Sequence, residues 1–401
     1  MNADLNKSFK LCFKLFKFLG MYQDGNQTWT YFFAGYRLHI LLIYIFFIGE
    51  LLYISKEAET ILNFMDVIAL STAFLAAIVK SANFFIKLKN IKKSMDNLDD
   101  LLIFCVDKRC KSQDRVKNRA DFCFKVYKIL WCSAFLTCFT AIFIPIFTPE
   151  LPYKVWIPFD TKNSSIGFQV ASTYLIINGW TVASIDMALN ILPVIFISFA
   201  IGLIEKLTDR LRSFGKNTIN VENTSVQLNG QTKELIKCVE IQKQIKLFVN
   251  EIQENFSTSI LIQGLLSSVI LCTSAFMMSM VWKKNSRDEY YRVKFFQVNE
   301  ISTLLKMIFF MVPMVLGIFL PCFFGNELSI ASSKLSSALF HSNWVEENES
   351  IKKLMLVFME NSKKDIKISA FNLFNLSLTT FTSIMNTAYS MFAVLKKVNA
   401  H

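Results

Sequence analysis

Residues 307–324 read MIFFMVPMVLGIFLPCFF, eighteen positions without a charge. A bilayer core about 30 Å thick takes roughly 20 mostly apolar helical residues, so this run, with its neighbours on either side, is long enough to cross a membrane. Working outward, six further stretches share its character, and the candidate spans fall near 36–54, 61–86, 129–147, 171–204, 257–282, 301–324 and 370–395. The fourth is long and weaker at its start. The seventh is the least hydrophobic, yet no charge falls between Lys367 and Lys396. Over all 401 residues, 53% are hydrophobic, 40 are Phe and only 18% are charged, against about 25% charged in a soluble protein. With 12 Gly and 7 Pro, a β-rich, collagenous or disordered chain is disfavoured. The expected fold class is all-α integral membrane, with seven transmembrane helices.

Basic residues orient the spans. Of the 43 Lys and Arg, 31 lie before span one or in the links between spans two and three, four and five, and six and seven. Ten lie in the opposite links and the C-terminal tail, and Lys80 and Lys306 fall inside spans. The positive-inside rule then puts the N-terminus in the cytoplasm and the C-terminus outside, the reverse of a G-protein-coupled receptor. The nine Cys all fall in the expected cytoplasmic segments or in spans, so no extracellular disulfide is expected. Asn163, in Asn163-Ser164-Ser165 of the longest outer link, is a glycosylation candidate. The net charge of +12, concentrated on the cytoplasmic side, suits anionic membrane lipid rather than nucleic acid.

The cytoplasmic links are mostly helical in pattern. Ile241, Ile245, Phe248, Ile252 and Phe256 recur at helical spacing, as do Leu328, Leu335 and Leu339. The polar stretch 215–231 is expected to be a loop, and the Pro-rich link around residues 145–160 an ordered, non-helical cap. At the N-terminus, Phe9, Phe13, Phe16 and Leu19 make one apolar face, which reads either as an interfacial helix or as a helix docked on the rest of the protein.

No phosphate-binding loop, HExxH, CxxC pair or nucleophile elbow is present, and only three His are scattered along the chain. An enzyme is not expected, and no cofactor or metal is implied. Span seven carries a polar stripe, Asn372, Asn375, Thr379, Thr382, Asn386 and Ser390. It is either an interhelical packing face or, with copies from several subunits, a pore lining that gives way to a bulky apolar gate. The ionisable residues inside spans are Glu50, Asp66, Lys80, Asp186 and Lys306, candidates for function by default. Lys80 and Lys306 lie near span ends and are expected to snorkel, while Asp186 has no partner identifiable in the sequence. A pocket for a small, mostly apolar ligand is expected from the outer halves of four spans. Its candidate residues are Phe64, Ile68, Ser71, Thr72 and Leu75; Phe135, Cys138, Phe139 and Ile142; Tyr174, Asn178 and Thr181; and Leu304 and Ile308.

PCFFGNELSIASSKLSSALFHSNW (321–344) followed by SLTTFTSIMNTAYSMFAVLKK (377–397) resembles the signature of insect odorant receptors. LPYKVWIPFD (151–160) and LIKCVEIQKQI (235–245) also look like family features, with Gln242 where a His is common. Gustatory receptors share the fold but usually end in a different motif, which TAYSMFAVLKK lacks. The resemblance implies an inverted seven-helix channel subunit in the plasma membrane of olfactory neurons. Because the link between spans four and five lacks a large insertion, the chain resembles a ligand-tuning subunit rather than the shared co-receptor. The implied partners are that co-receptor, in a heterotetramer, a small volatile ligand, membrane lipid and permeating cations. By the same resemblance residues 1–35 form a cytoplasmic amphipathic segment and 36–324 hold spans one to six, the pocket and the cytoplasmic links. Residues 325–369 would be cytoplasmic anchor helices and 370–401 the pore-lining span seven with a short outer tail. The gate would map to Phe392 and Leu395 or Lys396, beyond the pore positions Asn386 and Ser390. A homomeric gustatory-type channel and a secondary transporter using Asp186 and Lys306 are the competing readings.

Overall fold

The computed structural model describes residues 7–22, 43–57, 60–105, 113–147, 150–161, 164–214, 224–287, 294–342, 344, 348–371 and 373–398. Asn163 and Asn372 lie outside these residues. The described chain forms helices α1 (Lys7–Phe18), α2 (Ile45–Lys56), α3 (Ile61–Phe104), α4 (Gln113–Phe147), α5 (Ser165–Arg212), α6 (Thr224–Arg287), α7 (Lys294–Phe340) and α8 (Glu349–Ser362). A hairpin of β1 (Ser369–Ala370) and β2 (Phe374–Asn375) then leads into α9 (Leu378–Val398).

Helix α5 is the axis. Every residue from Ile185 to Ile204 is buried, as suits a segment apolar around most of its circumference whose Asp186 and Asn190 find their partners inside the bundle. α3, α6 and α7 are 44, 64 and 47 residues long, whereas a bilayer crossing uses about 20. Each therefore runs on beyond its apolar section, and the expected links are largely continuations of the spans. Among the described residues five helices are long and apolar enough to cross a membrane: α3, α4, α5, α6 and α7. The stretch expected as a loop over 215–231 is shorter than that, because α6 already begins at Thr224.

At the end where the helices run on, polar contacts tie the extensions together. Arg119 of α4 ion-pairs with Glu205 of α5 and reaches Glu327 of α7. Gln242 of α6 donates to Ser362 Oγ of α8 at 2.8 Å. Leu328, Leu335 and Leu339 are buried there, as their spacing predicts. Burial pushes the Cys238 thiol up to about 12, so it packs as an inert apolar group. The amphipathic face of α1 resolves in favour of docking. Phe9 lies 5.4 Å from the Phe199 ring and 5.0 Å from Phe196, and Phe16 lies 4.6 Å from Phe84. Burying such a ring is worth about 1.5–3 kcal/mol, so this helix is held by protein rather than by a membrane surface.

At the opposite end, residues 150–161 fold without helix into a cap. The Trp156 N–H donates to the Gly49 carbonyl of α2 at 3.1 Å, and Lys56 Nζ sits 4.4 Å over the Trp156 ring.

The last span departs from its expected bounds. It starts at Leu378, not near residue 370, because the preceding residues pair as an antiparallel hairpin, Ser369 opposite Asn375 and Ala370 opposite Phe374. The Ser369 and Phe371 N–H groups donate to Gln253 Oε1 and Ser257 Oγ of α6, and Ser377 Oγ accepts from the Thr380 N–H at 3.2 Å, an N-cap that fixes where α9 begins. The hairpin leans on Gly325: a Cβ there would lie 2.4 Å from Leu376 Cβ and 2.7 Å from its carbonyl oxygen. Gly325→Ala is expected to cost about 1–3 kcal/mol by overpacking, seen as a lower melting temperature in detergent. Gly230→Ala, where nothing lies within 4 Å, is expected to show no loss; equal melting of the two variants would remove the hairpin contact from the account.

Candidate ligand-binding cavity

A cavity of about 100 Å³ opens between the cap and the middle of the bundle. Three helices line it with single stripes at helical spacing: Asp66, Ala69, Leu70, Ala73 and Phe74 of α3; Gly179, Val182, Ala183, Asp186 and Met187 of α5; Lys306, Met307, Phe310, Pro313 and Met314 of α7. α4 adds Ala134, Thr137 and Cys138, α6 adds Ser274 and Met277, and the cap adds Tyr153. Each of the three stripes covers eight residues of rise, so the cavity runs roughly 12 Å along the helices. Small residues on the inward faces are what make room for it.

Tyr153 closes the cap end. A Cβ on Gly179 would lie 2.6 Å from the Tyr153 hydroxyl, so only glycine lets the ring settle there. Phe46 of α2 meets the Tyr153 ring edge-on at 6.1 Å and stacks on Phe74 at 4.3 Å. Burial raises the Tyr153 phenol pKa above its ordinary value, and neighbouring Cys138, Asp66 and Glu50 add to the shift, so the hydroxyl keeps its proton. Beside it Lys306 Nζ lies 3.6 Å from Asp66 Oδ1 and 5.4 Å from the Tyr153 ring centre, while Lys154 of the cap lies 3.9 Å from Asp66 Oδ2.

The floor is a buried polar network. Lys80 of α3, only 1% exposed, ion-pairs with Asp186 and donates to Asn190 Oδ1 at 2.9 Å and to Gln263 Oε1 at 2.5 Å. An ammonium has three N–H donors, and here each meets an acceptor. Asn190 Nδ2 returns a bond to Asp186 Oδ2 at 2.9 Å, and Gln263 Nε2 donates to Ser267 at 2.9 Å. The expectation that Lys80 snorkels is therefore corrected: its ammonium turns inward, because Asp186 and two amides solvate it better than an interface several ångströms away. Asp186 finds in Lys80 the partner that the sequence did not reveal. On the far side, Asn190 and Gln263 border a second cavity of about 20 Å³, which reaches Gly317, Phe374 and Leu376 and ends at Ile384 of α9. A Cβ on Gly317 would lie 2.9 Å from Gln263 Nε2.

Of the residues expected to face a ligand, only Cys138 lines the larger cavity. Phe64, Leu75, Phe135, Phe139 and Ile308 are exposed on the outside of the bundle. Ile68, Thr72, Ile142, Tyr174, Thr181 and Leu304 are half-buried; the Thr72 and Thr181 hydroxyls are spent on the carbonyls of Ile68 and Ile177. Ser71 and Asn178 are buried, Ser71 beside Glu50 and Asn178 beside Tyr174. Apart from Cys138, the expected residues are offset around their helices from the positions that line this cavity by about 100° or more, since one residue turns a helix by that much. In lipid the bulky aromatics can face outward and the small residues inward. The charges were the usable signal: Asp66, Lys80, Asp186 and Lys306 all lie on inward faces.

In α9, Phe381, Ile384, Met385 and Ala388 pack on α6 and α7, and Ala388 alone is fully buried. Thr379, Thr382, Asn386 and Ser390 are exposed, Phe392 and Leu395 are half-buried, and Lys396 is exposed. Within this chain the polar stripe of α9 is thus not a packing face. Asn375 lies in β2, ahead of the helix.

Comparison with known proteins agrees with this architecture. The chain is similar to Odorant receptor Or1 of Anopheles gambiae, 23% identical with 99% of this chain and 97% of that protein covered. It is 29% identical to Odorant receptor 94a of Drosophila melanogaster over 257 residues, covering 62% of this chain and 59% of that receptor. Among solved structures it superposes on the olfactory receptor OR5 from Machilis hrabei, solved in complex with eugenol, with a TM-score of 0.78, 16% identity and 98% of both chains covered. Such proteins are receptors, not enzymes. The family described as 7tm Odorant receptor matches residues 60–389, most of the sequence, and the chain belongs to that family of insect seven-helix odorant receptors.

Proposed function

We propose that the chain is the odorant-binding subunit of a ligand-gated, non-selective cation channel in the plasma membrane of olfactory neurons, assembled with the shared co-receptor. The observation that carries this reading is the mostly apolar cavity, whose Lys80 floor borders a second cavity reaching the helix with the outward-facing polar stripe. Thr382 and Ser390 already donate to carbonyls of their own helix, but an exposed amide such as Asn386 forgoes water when it faces lipid. Around an axis shared with partner subunits the stripe lines a water-filled path, with Asn386 and Ser390 in the pore and Phe392, Leu395 and Lys396 near the gate. The excess of basic residues at the end where the helices run on supports a cytoplasmic anchor there, which leaves the cap and the C-terminal end of α9 outside.

The ligand enters the cavity and opens the channel by binding the open arrangement more tightly than the closed one. A hundredfold preference supplies about 2.8 kcal/mol toward opening. The contiguous route from Asp186 through Asn190 and Gln263 to the cavity at Ile384 supports the network as the element that senses the ligand on one side and the pore helix on the other.

In cells expressing the chain with the co-receptor, a volatile panel is expected to evoke cation current that the chain alone does not give. Current from the chain alone would establish a homomeric receptor, and silence of the pair to every volatile despite surface expression would overturn the reading. The network has its own test. Lys80→Met leaves the Asp186 carboxylate buried without its countercharge, a loss of about 3–5 kcal/mol, so little protein is expected at the surface. Lys80→Met/Asp186→Leu removes the uncompensated charge while the Asn190 and Gln263 amides lose partners, a smaller cost of about 1–3 kcal/mol each, and is expected to restore expression in part. The restored channel is expected to need about tenfold more odorant, ~1.4 kcal/mol, with an unchanged response to a co-receptor agonist. An unaltered odorant dose–response in the double variant would take the network out of the coupling route.

A further inference from the structure

The two ends of the larger cavity offer different chemistry. At the floor, Asp186 is already met by Lys80 and Asn190, and all three Lys80 donors are committed. Along the wall, the Thr137 hydroxyl donates to the Phe309 carbonyl at 2.7 Å, and Ser274 can offer only a neutral hydroxyl. At the cap end matters differ. Lys306 and Asp66 both line the cavity, and their 3.6 Å separation is an ion pair but lies beyond hydrogen-bond length. Among the described residues no acceptor stands within hydrogen-bonding distance of Lys306 Nζ, so its donors are available to a molecule in the cavity. Asp66 in turn divides its charge between Lys306 and Lys154 and keeps lone pairs to accept with.

A strong donor and a strong acceptor side by side at the end of an apolar slot match one functional group best. A hydroxyl can accept from Lys306 and donate to Asp66 at once. A carbonyl can make only the first of those bonds and a hydrocarbon neither, while a carboxylate would bring its charge against Asp66, which lines the same end. From this geometry we infer that the receptor's ligand is a slender, neutral alcohol, its hydroxyl held between Lys306 and Asp66 and its apolar body lying along the roughly 12 Å cavity toward Asp186. This rests on the reading of the cavity as the odorant site and narrows it to a ligand class, with Lys306 and Asp66 as the residues that set specificity.

The test is a dose–response series on the chain expressed with the co-receptor, using a straight-chain primary alcohol, the aldehyde, the carboxylic acid and the alkane of equal length. The alcohol is expected to act at the lowest concentration and the alkane and the acid at the highest. Lys306→Met is expected to raise the alcohol concentration needed by about tenfold to a hundredfold, the scale of a lost charge-assisted hydrogen bond, and to leave the alkane response unchanged. An alkane or aldehyde as effective as the alcohol, or an equal shift for alcohol and alkane in the variant, would overturn the assignment. So would silence to the whole series while other volatiles still open the channel, an outcome that leaves the odorant-receptor reading intact. Silence to every volatile defeats that reading itself. If Lys306→Met does not reach the surface, the rank order in the unmodified receptor decides.

Discussion

Lys80 carries an ammonium group into the middle of a bundle that lipid surrounds, and its three N–H bonds dictate what the neighbouring helices must supply. α5 provides a carboxylate and an amide one turn apart, Asp186 and Asn190, and α6 provides the Gln263 amide. A charge in this setting is tolerated only when paired and fully hydrogen-bonded, so the relative heights of α3, α5 and α6 follow from one side chain. The close approach of α7 then follows as well, because Gly317 alone leaves space for the Gln263 amide. Both cavities flank this junction, and neither could hold its shape if the three helices slid by a turn.

Much of the fold could be read from the sequence because the bilayer simplifies the problem. Long apolar runs become helices, and Leu328, Leu335 and Leu339 are buried in α7 as their spacing requires. The cavity-facing stripes were harder to read. Phe135 and Phe139 look like pocket walls by the logic of a soluble core, yet lipid accepts their rings on the outside, and Ala134 and Cys138 are buried instead. The start of α9 was hidden for a different reason. A two-residue strand pair has little local signal, and this one depends on Gln253, Ser257 and Gly325, all distant in sequence. Asp186 and Lys80 were each visible as intramembrane charges, but nothing in a single sequence says that they meet.

The bundle divides its surface unevenly. The middle of helix α5 is enclosed by its own chain, whereas among the described residues of α9 only Ala388 is fully buried. The first arrangement suits an element that must stay fixed and the second one that can tilt without dismantling a core. The hairpin ahead of α9 adds to this contrast, since its backbone bonds to α6 and its Leu376 seats on Gly325. One end of the helix is thus moored, while beyond Ala388 none of its described residues is fully buried.

Four of the residues that line the larger cavity are methionines, Met187, Met277, Met307 and Met314, contributed by three different helices. A thioether on an unbranched stem fills irregular gaps through several rotamers at little cost, and neighbouring substitutions are absorbed by repacking. Over evolutionary time such a wall lets selection alter the shape of the chamber in small increments, one side chain at a time, without passing through a misfolded intermediate. The charged floor, whose three donors are all committed, has no such latitude.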